Sequence, residues 1–175
     1  MKRKAVFFDR DGVVNIDKGY VYSQNEFEFN SGIFDLLSFY KSKGYLLLIV
    51  TNQSGIARGY YSIEDFLKLT EFMQESIKSK LGFAFDKVYF CPHLEGCNCR
   101  KPKVGMFEEA DMDFGIDFEN SIMIGDKDTD MQAAQKMGIG KKFYLSLKKP
   151  EFEEIDNLKW AIALSQIKTF EEKEN

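Results

Sequence analysis

The sequence has no long hydrophobic run and no excess of basic residues. Its longest apolar stretch, Tyr45 to Val50, has six residues, far fewer than the ~20 of a membrane-spanning helix. The apolar stretch after Lys2 to Lys4 ends at Asp9, too soon for a signal peptide. Acidic residues outnumber basic ones by 28 to 24, giving a net charge of −4. This balance argues against binding nucleic acid or a membrane surface. We therefore expect a soluble, cytoplasmic protein.

Cysteine and histidine are also scarce, and their placement is informative. The chain has three cysteines and one histidine, and all four lie between Cys91 and Cys99. An odd number of clustered thiols does not suit a disulfide framework. Cys91, His93, Cys97 and Cys99 instead provide the three thiolates and one imidazole of a common structural zinc site. Four protein ligands leave no open position, so we expect a structural Zn²⁺, with Gly96 allowing a tight turn inside the loop.

The chain alternates short apolar segments with segments of helical spacing. The apolar segments predict strands over Ala5–Phe8, Tyr45–Thr51, Lys87–Cys91, Ser121–Gly125 and Lys142–Leu145. Helices are predicted over Ile33–Tyr40, from the Ser62–Asp65 segment to about Leu81, and over Val104–Phe114, Asp128–Met137 and Leu158–Ile167. The charged tail after Phe170 is expected to fray.

This alternation predicts an α/β fold, a three-layer doubly wound parallel sheet with helices on both faces. Without a repeat or a low-complexity linker, we expect one domain over residues 1–175. Its core would span about 5–146, with the zinc-binding loop at 91–99 and a C-terminal helix and tail at about 151–175.

Polar groups follow each of the first four predicted strands. The four segments are Asp9–Gly12, Thr51–Gly55, the Cys/His cluster with Arg100–Lys101, and Gly125–Asp130. Ligands bind at the carboxyl ends of the strands in such sheets, so we expect these groups to meet at one edge. Carboxylates for Mg²⁺, donors for phosphate oxygens and fixed cations together indicate phosphoryl transfer onto a carboxylate.

Position along the chain suggests a role for each catalytic group. Asp9, at the end of the first strand, is the expected nucleophile. Asp11, two residues on, is the expected general acid and base. Thr51 and Lys101 are expected to hold the transferring phosphoryl group.

The catalytic Mg²⁺ is expected between carboxylates from two strands. Asp9 and Asp126 would repel each other without a cation between them. Asp11 is expected to add its backbone carbonyl, and Asp130 or Asp128 to support the site.

These motifs resemble the haloacid-dehalogenase superfamily of phosphatases. In finer detail, FFDRDGVVN, DKGYV, TNQSGIARGYYS, CPH with CNCRKPKVGM, and IGDKDTDM resemble the D-glycero-D-manno-heptose 1,7-bisphosphate 7-phosphatases. The segment SGIARGYYS favours this branch over the related histidinol-phosphate phosphatases. The resemblance implies removal of the C7 phosphate through an aspartyl-phosphate, for nucleotide-heptose and surface-glycan (lipopolysaccharide) biosynthesis.

The resemblance also implies which residues contact the substrate. These are Asp17, Lys18, Gly19, Tyr20, Thr51, Asn52, Gln53, Ser54, Arg100, Lys101 and Lys127. Arg100 is expected to recognise the phosphate that stays on the sugar. Only 39 residues separate Asp11 from Thr51, and 49 separate Thr51 from Lys101, so we expect no large cap domain.

Three alternatives stay open from the sequence. The substrate could be histidinol phosphate or another small phosphomonoester, because the catalytic motifs are shared. A receiver-like signalling domain would also accept phosphate on an aspartate, but its acceptor normally follows a later strand than the first. A zinc-stabilised binding module without activity would not need the four-part catalytic set. We expect a monomer that binds a small phosphorylated sugar.

Overall fold

The computed structural model describes residues 1–151 and 155–173. The strands are β1 (Ala5–Phe8), β2 (Leu46–Asn52), β3 (Lys87–Cys91), β4 (Ile122–Gly125), β5 (Lys141–Leu145) and β6 (Leu158–Ala161). The helices are α1 (Ile33–Ser42), α2 (Ile63–Leu81), α3 (Gly105–Phe114), α4 (Asp128–Lys136) and α5 (Leu164–Lys173). All neighbouring strands pair in parallel, in the order β3-β2-β1-β4-β5-β6.

The sheet is covered by helices on both faces, which confirms the predicted three-layer α/β fold. Side chains alternate between the faces of a strand. Val6 and Phe8 of β1 therefore pack into one apolar cluster with α1, α2 and α5. Ala5 and Phe7 face the opposite cluster, which contains residues of α3 and α4. Burial on both faces explains why the central strands are continuous apolar runs in the sequence.

The longest helix, α2, has clear signals at both ends. The Ser62 side chain accepts a hydrogen bond from the Asp65 backbone N–H, and the Asp65 carboxylate accepts one from the Ser62 backbone N–H. This capping box satisfies donors that the first helical turn leaves free. Gly82 ends the helix in a left-handed conformation.

The prediction for the C-terminal segment is wrong. Leu158–Ile167 is not one helix, because Leu158–Ala161 forms β6 and pairs with β5 at the edge of the sheet. Helix α5 then runs to Lys173, and buried Glu171 pairs with Lys141 at 2.9 Å. The expected fraying after Phe170 is therefore wrong for residues 171–173, while residues 174–175 lie outside the described part.

None of the connections between these elements is long enough to form a large cap domain. Residues 12–32, which we call the flap, contain no named helix or strand. They lead from the Asp9–Asp11 segment after β1 to the start of α1. The prediction that the chain has no large cap domain is therefore confirmed for the residues described. No described helix has both the length and the apolar character needed to cross a bilayer.

Candidate active site

Three carboxylates meet at the carboxyl end of the sheet. Asp9 follows β1 and Asp126 follows β4, and these strands are neighbours that pair Phe8 with Ile124. Asp130 lies in the first turn of α4. Carboxylate oxygens of these three residues, the acidic cluster, lie within 4.8 Å of one another.

The acidic cluster has the electrostatics of a cation site. Burial, together with Asp9 and Asp130, raises the pKa of Asp126 to about 8. Burial also raises the pKa of Asp9 to about 6, even though Lys101 opposes the shift. Oδ1 of Asp126 is buried and has no hydrogen-bond partner among the described residues. A divalent cation would relieve this crowding of negative charge, so the residues fit Mg²⁺.

Gly12 is required for the acidic cluster to form as it does. Its φ is +90°, a left-handed conformation that favours glycine. A β-carbon at this position would lie 2.2 Å from Oδ2 of Asp126. The turn after Asp11 therefore depends on glycine for two independent reasons.

Lys101 is buried beside the nucleophile candidate. Its Nζ donates to Asp9 Oδ1 at 3.0 Å and to the Val50 carbonyl at 2.6 Å, and it pairs with Asp130 Oδ1 at 2.7 Å. Burial alone would lower the pKa of Lys101, but the carboxylates of Asp130 and Asp9 raise it above its ordinary value. The side-chain amide of Asn52 bonds both the N–H and the C=O of Lys101, at 3.0 and 3.1 Å. The lysine is therefore charged and fixed in place.

The Asp11 carboxylate lies outside the acidic cluster. It accepts hydrogen bonds from Arg10 Nη2 at 2.9 Å, Asn15 Nδ2 at 3.0 Å and Gln53 Nε2 at 2.9 Å. Arg10, almost fully buried, also donates to the Val21 carbonyl in the flap at 2.6 Å. Asp11 stays a predicted Mg²⁺ ligand only through its backbone carbonyl.

Gln53 connects Asp11 to Thr51 and to Tyr61. Its Nε2 donates to Thr51 Oγ1 at 2.9 Å as well as to Asp11, and its Oε1 accepts from the Tyr61 hydroxyl at 2.5 Å. Tyr61 in turn stacks on Tyr22 of the flap, with ring centroids 5.3 Å apart. Two catalytic candidates from different strands thus share one oriented amide group.

A cavity of about 570 Å³ opens above these groups. Most of the predicted substrate-binding residues line it, namely Asp17, Gly19, Tyr20, Asn52, Gln53, Ser54, Arg100, Lys101 and Lys127. Asp11 lines it too, whereas Thr51 is buried. The structure does not bring Lys18 to this cavity, because its ammonium pairs with Glu28 at 2.9 Å on the surface.

Sequence reasoning missed some lining residues. These are Arg58, Tyr61, Pro102 and Thr129, whereas Asp128, which also lines the cavity, was expected as a possible support of the Mg²⁺ site. Arg58 and Tyr61 belong to the TNQSGIARGYYS segment that carried the resemblance, so position in that motif was the available signal.

The loop over residues 91–99, the Cys/His loop, brings its four candidate ligands together. Their ligand atoms lie within 4.8 Å of one another, and the three cysteines form no disulfide. The separations are 3.6 Å for Cys91–His93, 3.4 Å for His93–Cys99, 3.6 Å for Cys91–Cys97 and 2.6 Å for Cys91–Cys99. Tetrahedral zinc with Zn–S bonds of about 2.3 Å separates its ligands by about 3.8 Å, which is close to three of these four separations, whereas the Cys91–Cys99 separation is shorter. The thiol-rich set suits a soft cation, and Gly96 makes the turn with a φ of +71°.

Comparison with known proteins points to sugar phosphatases. The HAD-hydrolase-like family model matches residues 98–146. The D-glycero-alpha-D-manno-heptose-1,7-bisphosphate 7-phosphatase of Campylobacter jejuni is 51% identical over 162 residues, covering 91% of this chain and 94% of that protein. The corresponding beta-heptose enzyme of Helicobacter pylori is 54% identical over 132 residues, covering 74% and 76%.

A solved structure shares the whole fold. The D,D-heptose 1,7-bisphosphate phosphatase from B. bronchiseptica, complexed with magnesium and phosphate, superposes with a TM-score of 0.85. The two chains are 24% identical, and the match covers 98% of this chain and 99% of the other.

Proposed function

Because the chain belongs to the D-glycero-D-manno-heptose 1,7-bisphosphate 7-phosphatases of the haloacid-dehalogenase-like hydrolases, we propose that it removes the C7 phosphate of this sugar bisphosphate. The observation that carries the proposal is the setting of Asp9, which is buried directly after β1, pairs with Lys101 at 3.0 Å and belongs to the acidic cluster. As a family member the chain is a phosphoric monoester hydrolase, which disfavours the receiver-like and binding-module alternatives.

The first step forms an aspartyl-phosphate on Asp9. Oδ1 of Asp9 accepts hydrogen bonds from Lys101 and from the Arg10 backbone N–H, which leaves Oδ2 to attack phosphorus. The new P–O bond forms as the bond from phosphorus to the sugar O7 breaks. Protonated Asp11 gives its proton to that leaving oxygen. Lys101 stabilises the charge on the transferring phosphoryl group.

The second step returns Asp9 to its starting form. The Asp11 carboxylate takes a proton from water, and the water oxygen attacks phosphorus. The bond between phosphorus and Asp9 breaks, and inorganic phosphate leaves. Gln53 keeps the Asp11 carboxyl and the Thr51 hydroxyl in fixed positions relative to each other during both steps, because its amide nitrogen donates a hydrogen bond to each of them.

Asp9 and Asp126 are the proposed side-chain ligands of Mg²⁺, with the Asp11 backbone carbonyl as a third protein ligand. Asp130 accepts hydrogen bonds from the N–H groups of Asp126 and Lys127, both at 3.1 Å, and so orients the loop. Bound Mg²⁺ would neutralise charge on the phosphate oxygens.

We further propose that the Cys/His loop holds a structural Zn²⁺ through Cys91, His93, Cys97 and Cys99. The ligand set is complete without water, as in structural zinc sites. The loop leads directly into Arg100 and Lys101, and the N–H of Gln53, the residue after β2, donates a hydrogen bond to the Cys91 carbonyl at 2.8 Å. The ion would therefore fix the catalytic lysine through the loop.

Replacing Asp11 with asparagine is expected to lower kcat by about 10²- to 10⁴-fold, because the amide can neither give nor take the proton. With p-nitrophenyl phosphate, whose leaving group needs no protonation, the first step is spared. The Asp11→Asn variant should then release a burst of nitrophenolate of about one per active site, followed by slow turnover. Stopped-flow absorbance measures both phases.

The matched control is Asp35→Asn, which makes the same change at an exposed position on α1. It should keep the wild-type rate and show the wild-type time course. A slow Asp11→Asn variant without a burst would mean that Asp11 does not act in hydrolysis of the intermediate.

The substrate is tested by measuring kcat/KM with Mg²⁺ on both anomers of heptose 1,7-bisphosphate and on histidinol phosphate. Both anomers are needed because the similar enzymes of Campylobacter and Helicobacter are named for different ones. We expect kcat/KM to favour the bisphosphate by on the order of 100-fold or more. Histidinol phosphate has no second phosphate, so cations of the site that would bind that group stay unpaired. Equal or better turnover of histidinol phosphate would overturn the proposed substrate.

We propose that the protein is a monomer, and light scattering measures its mass in solution.

A further inference from the structure

The guanidinium of Arg58 is a positive charge at the cavity that has no partner among the described residues. It lines the cavity with Lys101, Arg100 and Lys127 and is exposed. No described residue accepts a hydrogen bond from its guanidinium or forms an ion pair with it. Lys101, by contrast, is fully committed to Asp9, Asp130 and the Val50 carbonyl. The donors of Arg58 are therefore available to a ligand.

The backbone that carries Arg58 is ordered by its own hydrogen bonds. The Arg58 N–H bonds the Ser54 carbonyl at 3.1 Å, and the Tyr60 N–H bonds the Gly55 carbonyl at 2.9 Å. The Ala57 N–H reaches the Pro92 carbonyl of the Cys/His loop at 3.2 Å. A loop held at three points keeps the free guanidinium at the cavity with little backbone entropy left to lose on binding.

The position of Arg58 separates it from the transferring phosphoryl group. Asp9 and Lys101 are buried, whereas Arg58 is exposed at the cavity. When one phosphate of a bisphosphate substrate is bound at the buried Asp9, the other phosphate lies in the more exposed part of the cavity. A guanidinium fork matches the oxygens of a phosphate and forms charge-assisted hydrogen bonds with it.

We infer that Arg58 is a specificity-determining residue that binds the phosphate remaining on the sugar. This inference rests on the proposed function, since only a bisphosphate substrate brings a second phosphate to the cavity. Arg58 comes from the loop after β2 and Arg100 from the end of the Cys/His loop. Arg58 and Arg100 would thus bind the phosphate that remains on the sugar from two different loops.

The test compares heptose 1,7-bisphosphate with heptose 7-phosphate, which differ only in the C1 phosphate. Arg58→Gln should raise KM for the bisphosphate by about 10- to 100-fold, because charge-assisted hydrogen bonds to an anion are lost. Its KM for the 7-phosphate, and kcat on both, should stay within about twofold of wild type. Arg58→Lys should recover part of the loss, because it keeps the charge without the fork.

The control is Lys78→Gln, which removes one positive charge from an exposed position on α2. It should leave both substrates unaffected. An unchanged KM for the bisphosphate in Arg58→Gln, or an equal loss on both substrates, would overturn the inference. Wild-type protein that does not prefer the bisphosphate over the 7-phosphate would instead signal failure of the proposed function, and the inference would fail with it.

Discussion

Replacing Asp9 with asparagine is expected to lower turnover by at least about 10⁴-fold, because the amide cannot form the covalent intermediate. The fold should survive, since Lys101 keeps its ion pair with Asp130 at 2.7 Å and its bond to the Val50 carbonyl. Phosphate release measures the rate. Acid quenching during turnover should trap a phosphoenzyme in the wild type and none in the variant.

The control for this change is again Asp35→Asn, an aspartate-to-asparagine change outside the site. It should match the wild type in both rate and trapped phosphoenzyme. A variant at Asp9 that kept its rate within tenfold, after purification free of host phosphatases, would contradict the assignment of the nucleophile.

Removing the ion from the Cys/His loop is expected to lower both stability and activity. Structural zinc contributes its binding energy to folding, so Tm should fall by on the order of 10 °C. Activity with excess Mg²⁺ restored should fall on the order of 100-fold, because a small misplacement of Lys101 disturbs the reacting geometry. Chelation followed by scanning calorimetry, metal analysis and assay measures all three quantities.

Variants separate the loop's ion from general effects of chelation. Cys99→Ser should reproduce the loss of metal, Tm and activity without any chelator. Glu95→Gln changes an exposed residue of the same loop that is not a candidate ligand, and it should behave as wild type. Verified zinc removal with unchanged Tm would rule out the structural role.

The arrangement of the sheet was predictable because its strands are buried on both faces. A strand of this kind appears in the sequence as a short, continuous apolar run that stops at a polar residue. Val6 to Phe8 before Asp9, and Ile122 to Gly125 before Asp126, show this pattern. The end of the run also marks the place where a ligand binds, so the fold and the candidate site were found together.

The C-terminal segment was not predictable from spacing alone. Leu158, Ala161, Leu164 and Ile167 are three residues apart, which suits one face of a helix. The first two instead belong to β6, which β5 pairs through main-chain hydrogen bonds. Pairing with an open sheet edge is a long-range effect that a local pattern does not contain.

The contacts between site residues required the three-dimensional structure. Motif positions pointed to Asp11 and Lys101, but not to the partners that hold them. Asp11 is oriented by Arg10 and Gln53, and Asp130 pairs directly with Lys101. These contacts depend on rotamers and on residues distant in sequence, which spacing does not specify.

The most direct test of the proposed activity is the identity of the product from heptose 1,7-bisphosphate. Phosphorus NMR during turnover with Mg²⁺ distinguishes the phosphate on C1 from the phosphate on C7. We predict that the C7 signal disappears as inorganic phosphate and heptose 1-phosphate form in equal amounts. Accumulation of heptose 7-phosphate, or no reaction by protein that contains both metals, would contradict the proposed activity.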